Sequence, residues 1–410
     1  MRNNPWTTSP HHLVTLVAAT LLAAAAAASA AHAQGAPFVL DSISAGKDHA
    51  CGITPQHVAY CWGRNAEGEL GNPSVTAPCP GSGEACSAKP VRVAASEPFA
   101  SISAGHGFTC ALTTSGVAYC WGTNSSGQLG IGSQVPSKRP VKVGMGGVTF
   151  QSISAGDTHA CAITSAGAAY CWGSNAGGKL GTGRTGGGHT MPVAVSGHLV
   201  FRTISAGYYH TCGVTRDGKA YCWGRNDQGE VGNAPRASSA VPARVAGEAA
   251  FRLVQAAAQF DYSCAADANG ALSCWGANCF NQLGVDSLTE QCGTPPMPCS
   301  TKPSPVRAAA TFQAVSAAFS HSCALTAAGV VLCWGDNNLG QLGNGNSGDR
   351  SVTPVPVTGS QTYRALSVGR EFTCAVTTQG TPQCWGLNDN GQLGIGATGN
   401  RSVPTPLAEP

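Results

Sequence analysis

Hydrophobic and polar positions along this chain fall into short β-prone runs separated by glycine-rich turns, and the same order of runs returns about every fifty residues. In one copy, Phe150 to Gly156 (FQSISAG) predicts a first strand, Ala160 to Thr164 a second and Ala168 to Trp172 a third. A Pro-Val-x-Val segment such as Pro140 to Val143 supplies a fourth. Proline at its start suits an edge strand, which can spare a backbone donor. Trp62, Trp121, Trp172, Trp223, Trp275, Trp334 and Trp385 mark seven copies, spaced 59, 51, 51, 52, 59 and 51 residues apart. A fixed unit repeated in this way overrides a domain count taken from length.

Each copy holds two cysteines ten residues apart: Cys51 and Cys61, Cys110 and Cys120, Cys161 and Cys171, Cys212 and Cys222, Cys264 and Cys274, Cys323 and Cys333, Cys374 and Cys384. The hairpin between them can be registered. If Ser165, Ala166 and Gly167 form a three-residue loop, Gly167 takes the left-handed position of a type I turn with a bulge. Thr164 then faces Ala168, and counting outward sets Cys161 opposite Cys171, at a non-hydrogen-bonded pair where Cα atoms lie about 4.5 Å apart. A disulfide accepts that separation. Glycine holds the turn position in six copies, and His57, which tolerates the left-handed region better than most residues, holds it in the first.

A single small sheet cannot bury both faces, and packing beside its neighbours does so. A disulfide across each hairpin adds roughly 2–3 kcal/mol. The predicted fold is therefore all-β, a seven-bladed β-propeller of four-stranded blades over residues 34–410. The first copy begins at Phe38 without a preceding Pro-Val strand, and the chain ends in Pro404 to Leu407, which aligns with Pro354 to Val357. This predicts a ring closed by the C-terminal strand pairing with the N-terminal blade.

Composition adds the compartment. Met1 and Arg2, an uncharged stretch from Leu13 to Ala28 and the Ala31-His32-Ala33 ending read as a signal peptide over residues 1–33. The expected location is secreted, periplasmic or at the cell surface. No later run reaches the ~18 apolar residues of a membrane span, so no membrane insertion is expected after cleavage. Without Arg2 there are 22 basic and 20 acidic residues, and charged residues are only 10% of the chain. No basic run interleaved with aromatics appears, which disfavours nucleic acid as a partner.

The elements Ser-Ala-Gly, His-x-Cys-x-Ile/Leu-Thr, Gly-x-x-Tyr-Cys-Trp-Gly-x-Asn and Gly-Gln-Leu-Gly resemble the repeat of the regulator of chromosome condensation family, from about Phe38 to Leu407. The resemblance implies a seven-bladed propeller. Its members include a nucleotide exchange factor for a nuclear GTPase, a plant ultraviolet photoreceptor and secreted bacterial propellers that inhibit β-lactamases. An exported, disulfide-rich chain fits the secreted bacterial type best. A photoreceptor would want clustered extra tryptophans, and every tryptophan after the leader is the structural one of its copy.

His49, His159, His210 and His321 each lie two residues before a cysteine and share its face, so a zinc site is conceivable. Phe108, Tyr262 and Phe372 take that place in the other copies, whose cysteine pairs remain, which favours buried, hydrogen-bonded histidines and neither metal nor cofactor. Cys79 with Cys86, and Cys292 with Cys299, sit seven apart in matching insertions and predict two loop disulfides. Cys279 is left over, and sequence leaves pairings among Cys279, Cys292 and Cys299 open. Gly345 to Asp349 faintly resembles a serine-protease segment but has no partner histidine and aspartate. Ala176 to Leu180 lacks the hydroxyl residue of a phosphate loop. No catalytic set rises above background, and the reading is not an enzyme.

Exposed loops differ more informatively. Loops joining first to second and third to fourth strands emerge on one side of the ring. Their aromatics concentrate in copies four to six, where Tyr208, Tyr209, Phe260, Phe280 and Phe319 predict a contact surface for a protein partner. The expected function is a monomeric, exported, protein-binding scaffold for an extracellular or periplasmic partner, with inhibition of an extracellular enzyme as one form of it. A glycan- or surface-binding module is the alternative, since such rings also stack on sugars, and an enzyme using the central channel stands third.

Overall fold

The computed structural model of the protein describes residues 37–80 and 83–410, so the signal segment read at residues 1–33 lies outside the described residues. The compact ring unit runs from Val39 to Pro410. Seven antiparallel sheets follow one another, each built from consecutive strands paired in the order first, second, third, fourth. In the third blade these are Phe150–Ala155, His159–Thr164, Ala169–Ser174 and Gly188–Ala194. The fifth blade departs from the rule of four, because its insertion adds a two-residue strand, Gln291–Cys292, outside Met297–Pro305. The chain is all-β, and the helical content among the described residues is the short 3-10 turn Ala176–Gly178.

The closing strand differs from the sequence expectation. Arg401–Pro406 pairs with Pro382–Gly386 in its own seventh blade, and the first blade has its own fourth strand, Cys86–Arg92. Pro90 and Val91 hold in that strand the place of Pro140 and Val141 in blade two, Val91 facing Cys61 as Val141 faces Cys120, so the Pro-Val segment after each hairpin belongs to that hairpin's own sheet. The ring closes through the same side-by-side contacts that join every other pair of blades. Leu40 N donates to Gly380 O at 3.0 Å, Ala45 N to Ser367 Oγ at 2.8 Å and Trp62 Nε1 to Gln392 O at 3.0 Å.

Local geometry follows from the turn chemistry. Gly167 sits at φ 89°, donating to Thr164 O at 2.9 Å, while Thr164 N bonds Ala168 O at 3.0 Å. His57 holds the same place at φ 62°. Cys161 lies opposite Cys171, and the seven cross-hairpin disulfides have Cα atoms 4.0–4.1 Å apart. Bridges Cys79–Cys86 and Cys292–Cys299 close the two insertions, and Cys279 is a free thiol.

The core lies between blades. Second and third strands are buried almost throughout, and the apolar cluster of each described interface joins them to the phenylalanine or tyrosine and the tryptophan of the next blade. Phe150 and Trp172 of blade three, for example, pack on Cys110, Leu112, Cys120 and Leu129 of blade two. First strands of neighbouring blades touch around the axis. There, serines repeat one bond: Ser44, Ser103, Ser154 and Ser205 each accept from the alanine N–H of the following blade at 2.9–3.0 Å.

Glycine at the end of each Gly-Gln-Leu-Gly turn is required by that packing. A Cβ on Gly130, at φ 69°, would lie 2.7 Å from Trp172 Nε1, whereas one on Gly147, at φ 77°, would meet nothing within 4 Å. Gly147→Ala is expected to cost only the left-handed backbone term, about 1–2 kcal/mol. Gly130→Ala should lose at least about 2 kcal/mol more through the displaced indole, read as a lower denaturation midpoint. Equal midpoints for the two variants would show that the tryptophan can move aside freely.

Candidate functional site

The antiparallel order puts the loops between first and second strands, and those between third and fourth, at one end of the ring. Consecutive tips are tied backbone to backbone: Lys47 N to Gly105 O at 3.1 Å, His106 N to Gly156 O at 3.1 Å, Asp157 N to Gly207 O at 3.2 Å and Tyr208 N to Ala257 O at 2.9 Å. Side chains continue the annulus, with His106 against Asp157 and Arg370 on Asp48 at 3.1 Å. These contacts hold the tips rigidly relative to one another, which lowers the entropic cost of binding.

On this end the five aromatics named from sequence fall into two groups of touching rings. Phe260, Phe280 and Phe319 form a three-ring cluster with centroids 5.7, 5.4 and 5.8 Å apart, spanning blades five and six. The guanidinium of Arg350 lies 5.0 Å above the Phe280 ring. In blade four, Tyr208 and Tyr209 are 4.1 Å apart, and Arg225 and Lys179 stand 5.0 and 5.5 Å from the Tyr209 centroid. All five rings are partly buried, so each presents one side or edge to solvent and uses the rest for packing.

The histidines are structural. His49, His159, His210 and His321 are buried, and their Nε2 atoms meet Thr109, Thr211, Ser263 and Thr373 hydroxyls of the next blade at 2.8–2.9 Å. Each hydroxyl donates its own proton to a backbone carbonyl, those of Glu69, Lys179, Glu230 and Gln341 respectively. The hydroxyl must therefore accept from histidine, which fixes the neutral Nε2–H tautomer. Burial pushes the pKa of His49, His210 and His321 down to about 3 and that of His159 well below its ordinary value. Their neighbouring sulfurs are in disulfides, and among the described residues no group of three or more His, Cys, Asp or Glu is placed to hold a metal ion.

Two features of this end escaped the sequence reading. The glutamine of the Gly-Gln-Leu-Gly turn is replaced by Glu69 in blade one, Lys179 in blade three and Glu230 in blade four, all buried. Lys179 Nζ donates to Thr158 Oγ1 at 2.7 Å and to Tyr208 O at 3.2 Å, thereby fastening the tyrosine tip, and burial pushes its pKa down to about 8. Glu230 Oε2 accepts from Gln228 N at 2.9 Å, and burial with Asp261 nearby raises its carboxyl. The second feature is a longer tip in blade five. Gln255 pairs with Cys264 where Ser154 pairs with Cys161, so the tip carries two extra residues. Counting residues from the inner strand to the first cysteine would have found it.

Comparison with known proteins places these observations in a family context. The repeat described as Regulator of chromosome condensation (RCC1) matches residues 57–112, 115–163, 166–214, 217–266, 328–376 and 384–410. A second profile of the same repeat matches 41–69, 99–128, 150–178, 201–230, 312–341 and 363–392, and both omit residues 267–311, which hold the blade-five insertion. The Ultraviolet-B receptor UVR8 of Arabidopsis thaliana is 30% identical over 371 residues, covering 88% of this chain and 80% of that protein. The fold is similar to that of human WBSCR16, with TM-score 0.74 and 20% identity over 86% of this chain and 94% of that one. It is equally similar to Prp20p of Saccharomyces cerevisiae, with TM-score 0.74 and 20% identity over 87% of each chain, a protein described with its binding properties to Gsp1p and histones.

Proposed function

Because the chain belongs to the regulator of chromosome condensation repeat family, and one end of its ring gathers aromatic rings on mutually tied loops, we propose that it is a non-enzymatic scaffold that binds another protein through that end. The observation that carries the reading is the Phe260–Phe280–Phe319 cluster, assembled from two blades on loops where the copies differ. Partly exposed aromatic clusters beside arginine are the usual composition of binding hot spots. The binding of Gsp1p and histones described for Prp20p supports the protein-binding part by analogy of fold, and a fold alone does not fix a function.

The finer reading is an exported protein acting on an extracellular or periplasmic partner, with inhibition of an enzyme as one mode. Nine disulfides support it, since such bridges persist in oxidising compartments. The test is capture of the partner from the extracellular fraction by the wild-type protein and by a variant with alanine at Tyr208, Tyr209, Phe260, Phe280 and Phe319. Binding is expected to fall by roughly 1,000-fold, on the basis of about 2 kcal/mol for each of two hot-spot rings. The cross-hairpin disulfides and the circular dichroism spectrum should be unchanged. Unaltered affinity in the variant would remove this surface, and a hit on a glycan array abolished by the same substitutions would replace the protein partner with a sugar.

A further inference from the structure

The extended tip of blade five concentrates polar groups that the fold itself leaves without partners. Gln259 is buried with both its amide oxygen and its amide nitrogen unpaired. Asp261 has its buried Oδ1 unpaired, and its Oδ2 lies 3.9 Å from Arg225 Nη1, too far for a hydrogen bond. Behind it, fully buried Glu230 has Oε1 unpaired. The nearby guanidinium is committed elsewhere: Arg225 Nε bonds Asp227 Oδ2 at 2.7 Å and its plane stands over Tyr209. Arg225 therefore leaves the Asp261 carboxylate without a hydrogen-bonded cation.

Leaving a buried acceptor unfilled is costly, more so when it is charged, and that cost is recovered only when a donor arrives. The Asp261 side chain keeps 15% of its surface exposed while Oδ1 is buried, so a donor from solvent reaches the carboxylate at Oδ2, which has no hydrogen bond. Its chain neighbour Phe260 belongs to the three-ring cluster, which gives the donor's companion an apolar floor. Rings on this end already carry cations from the protein itself, Arg225 over Tyr209 and Arg350 over Phe280. A second cation beside them is in keeping with the attraction between ring faces and positive charge.

We propose that the blade-five tip is a socket for a basic side chain of the partner protein: an arginine or lysine places its charge on Asp261, and an apolar residue next to it packs on Phe260, Phe280 and Phe319. The proposal rests on the reading of this end as the protein-binding surface, and it adds the partner's chemistry. It also accounts for the two-residue extension that carries Phe260 and Asp261 in this tip.

The test is selection of a random cyclic heptapeptide library displayed on phage against the intact protein, followed by affinity measurement of the selected peptides. Expected are peptides with arginine or lysine next to an aromatic or aliphatic residue. Asp261→Asn should weaken them roughly tenfold or more, while weakening their glutamine-substituted versions less than about threefold. Phe260→Ala should weaken both versions, and melting curves of the variants confirm that each is folded. Apolar peptides that depend on Phe260 but show no basic preference would overturn this inference and leave the binding surface standing. Peptides indifferent to Phe260, Phe280 and Phe319, or no selected peptides at all, would overturn both.

Discussion

Acidification from pH 7 to about 4.5 is expected to destabilise the ring by several kcal/mol and to lower its melting temperature steeply, and the four buried histidines are the reason. In the folded protein each ring is a neutral donor to a hydroxyl that has already spent its own proton on a carbonyl. A second proton would have to sit on Nδ1, which is buried and without an acceptor in His159, His210 and His321. Folded pKa values therefore fall to about 3 for His49, His210 and His321, against an unfolded value near 6.5.

Below pH 6.5 the unfolded chain takes up protons that the folded chain refuses, so stability is fully present above that pH and is lost as pH falls toward 3. Two pH units cost about 2.7 kcal/mol per histidine. Four such groups set an upper limit of about 11 kcal/mol. The carboxyls of Glu69, Glu230, Asp261 and Glu371 act in the opposite sense, because burial raises them and they bind protons more readily folded than unfolded. These carboxyls offset part of the loss, and the histidine share is isolated by substitution.

The chain contains its own control for this prediction. Phe108 and Phe372 occupy the histidine position in blades two and seven, and in blade five Tyr262 reaches Ser322 Oγ at 3.0 Å in the same manner as a histidine. Replacing His49, His159, His210 and His321 by phenylalanine should flatten the dependence of unfolding free energy on pH between 6.5 and 4.5. Denaturant titrations at several pH values measure it. An unchanged slope in the substituted protein would place the acid sensitivity elsewhere.

Sequence conveyed the fold because its determinants are local. The Ser165–Gly167 turn fixes the hairpin register, the register sets Cys161 against Cys171, and the repeated tryptophan sets the blade count. The expected closure fails because each Pro-Val strand lies between two copies in the sequence and spacing does not say which sheet it joins; the strand at Pro90 joins the hairpin before it, and so does the one at Pro404. The functional end was legible only as a set of loop positions. Which rings touch depends on the angle between neighbouring blades, which no spacing in one copy encodes, and so Tyr208 and Tyr209 separate from the three phenylalanines. Lys179 and Glu230 stood in plain view as departures from the Gly-Gln-Leu-Gly turn, but their meaning lies in contacts to the adjacent tip.

The absence of strand exchange makes the junction between blades seven and one a direct test of how the ring is held. Trp62 there is fully buried, and its indole N–H reaches across to Gln392 O. Trp172 does the same between blades three and two, reaching Gln128 O at 2.9 Å. Truncating either to alanine removes a large buried side chain and a hydrogen bond, at an expected cost of about 3–5 kcal/mol. Since the chain ends meet through side-by-side contacts and share no strand, Trp62→Ala should cost as much as Trp172→Ala and in addition loosen the termini, so that limited proteolysis releases fragments of blades one and seven before any other. Trp223 refines the comparison, for its indole N–H has no acceptor in the structure. Trp223→Phe should therefore be milder than Trp172→Phe by about 1 kcal/mol, the net worth of one hydrogen bond. Equal losses for the two phenylalanine variants would mean that indole packing alone carries the blade contact, and a Trp62→Ala protein as stable as wild type would require a closure other than the one these contacts make.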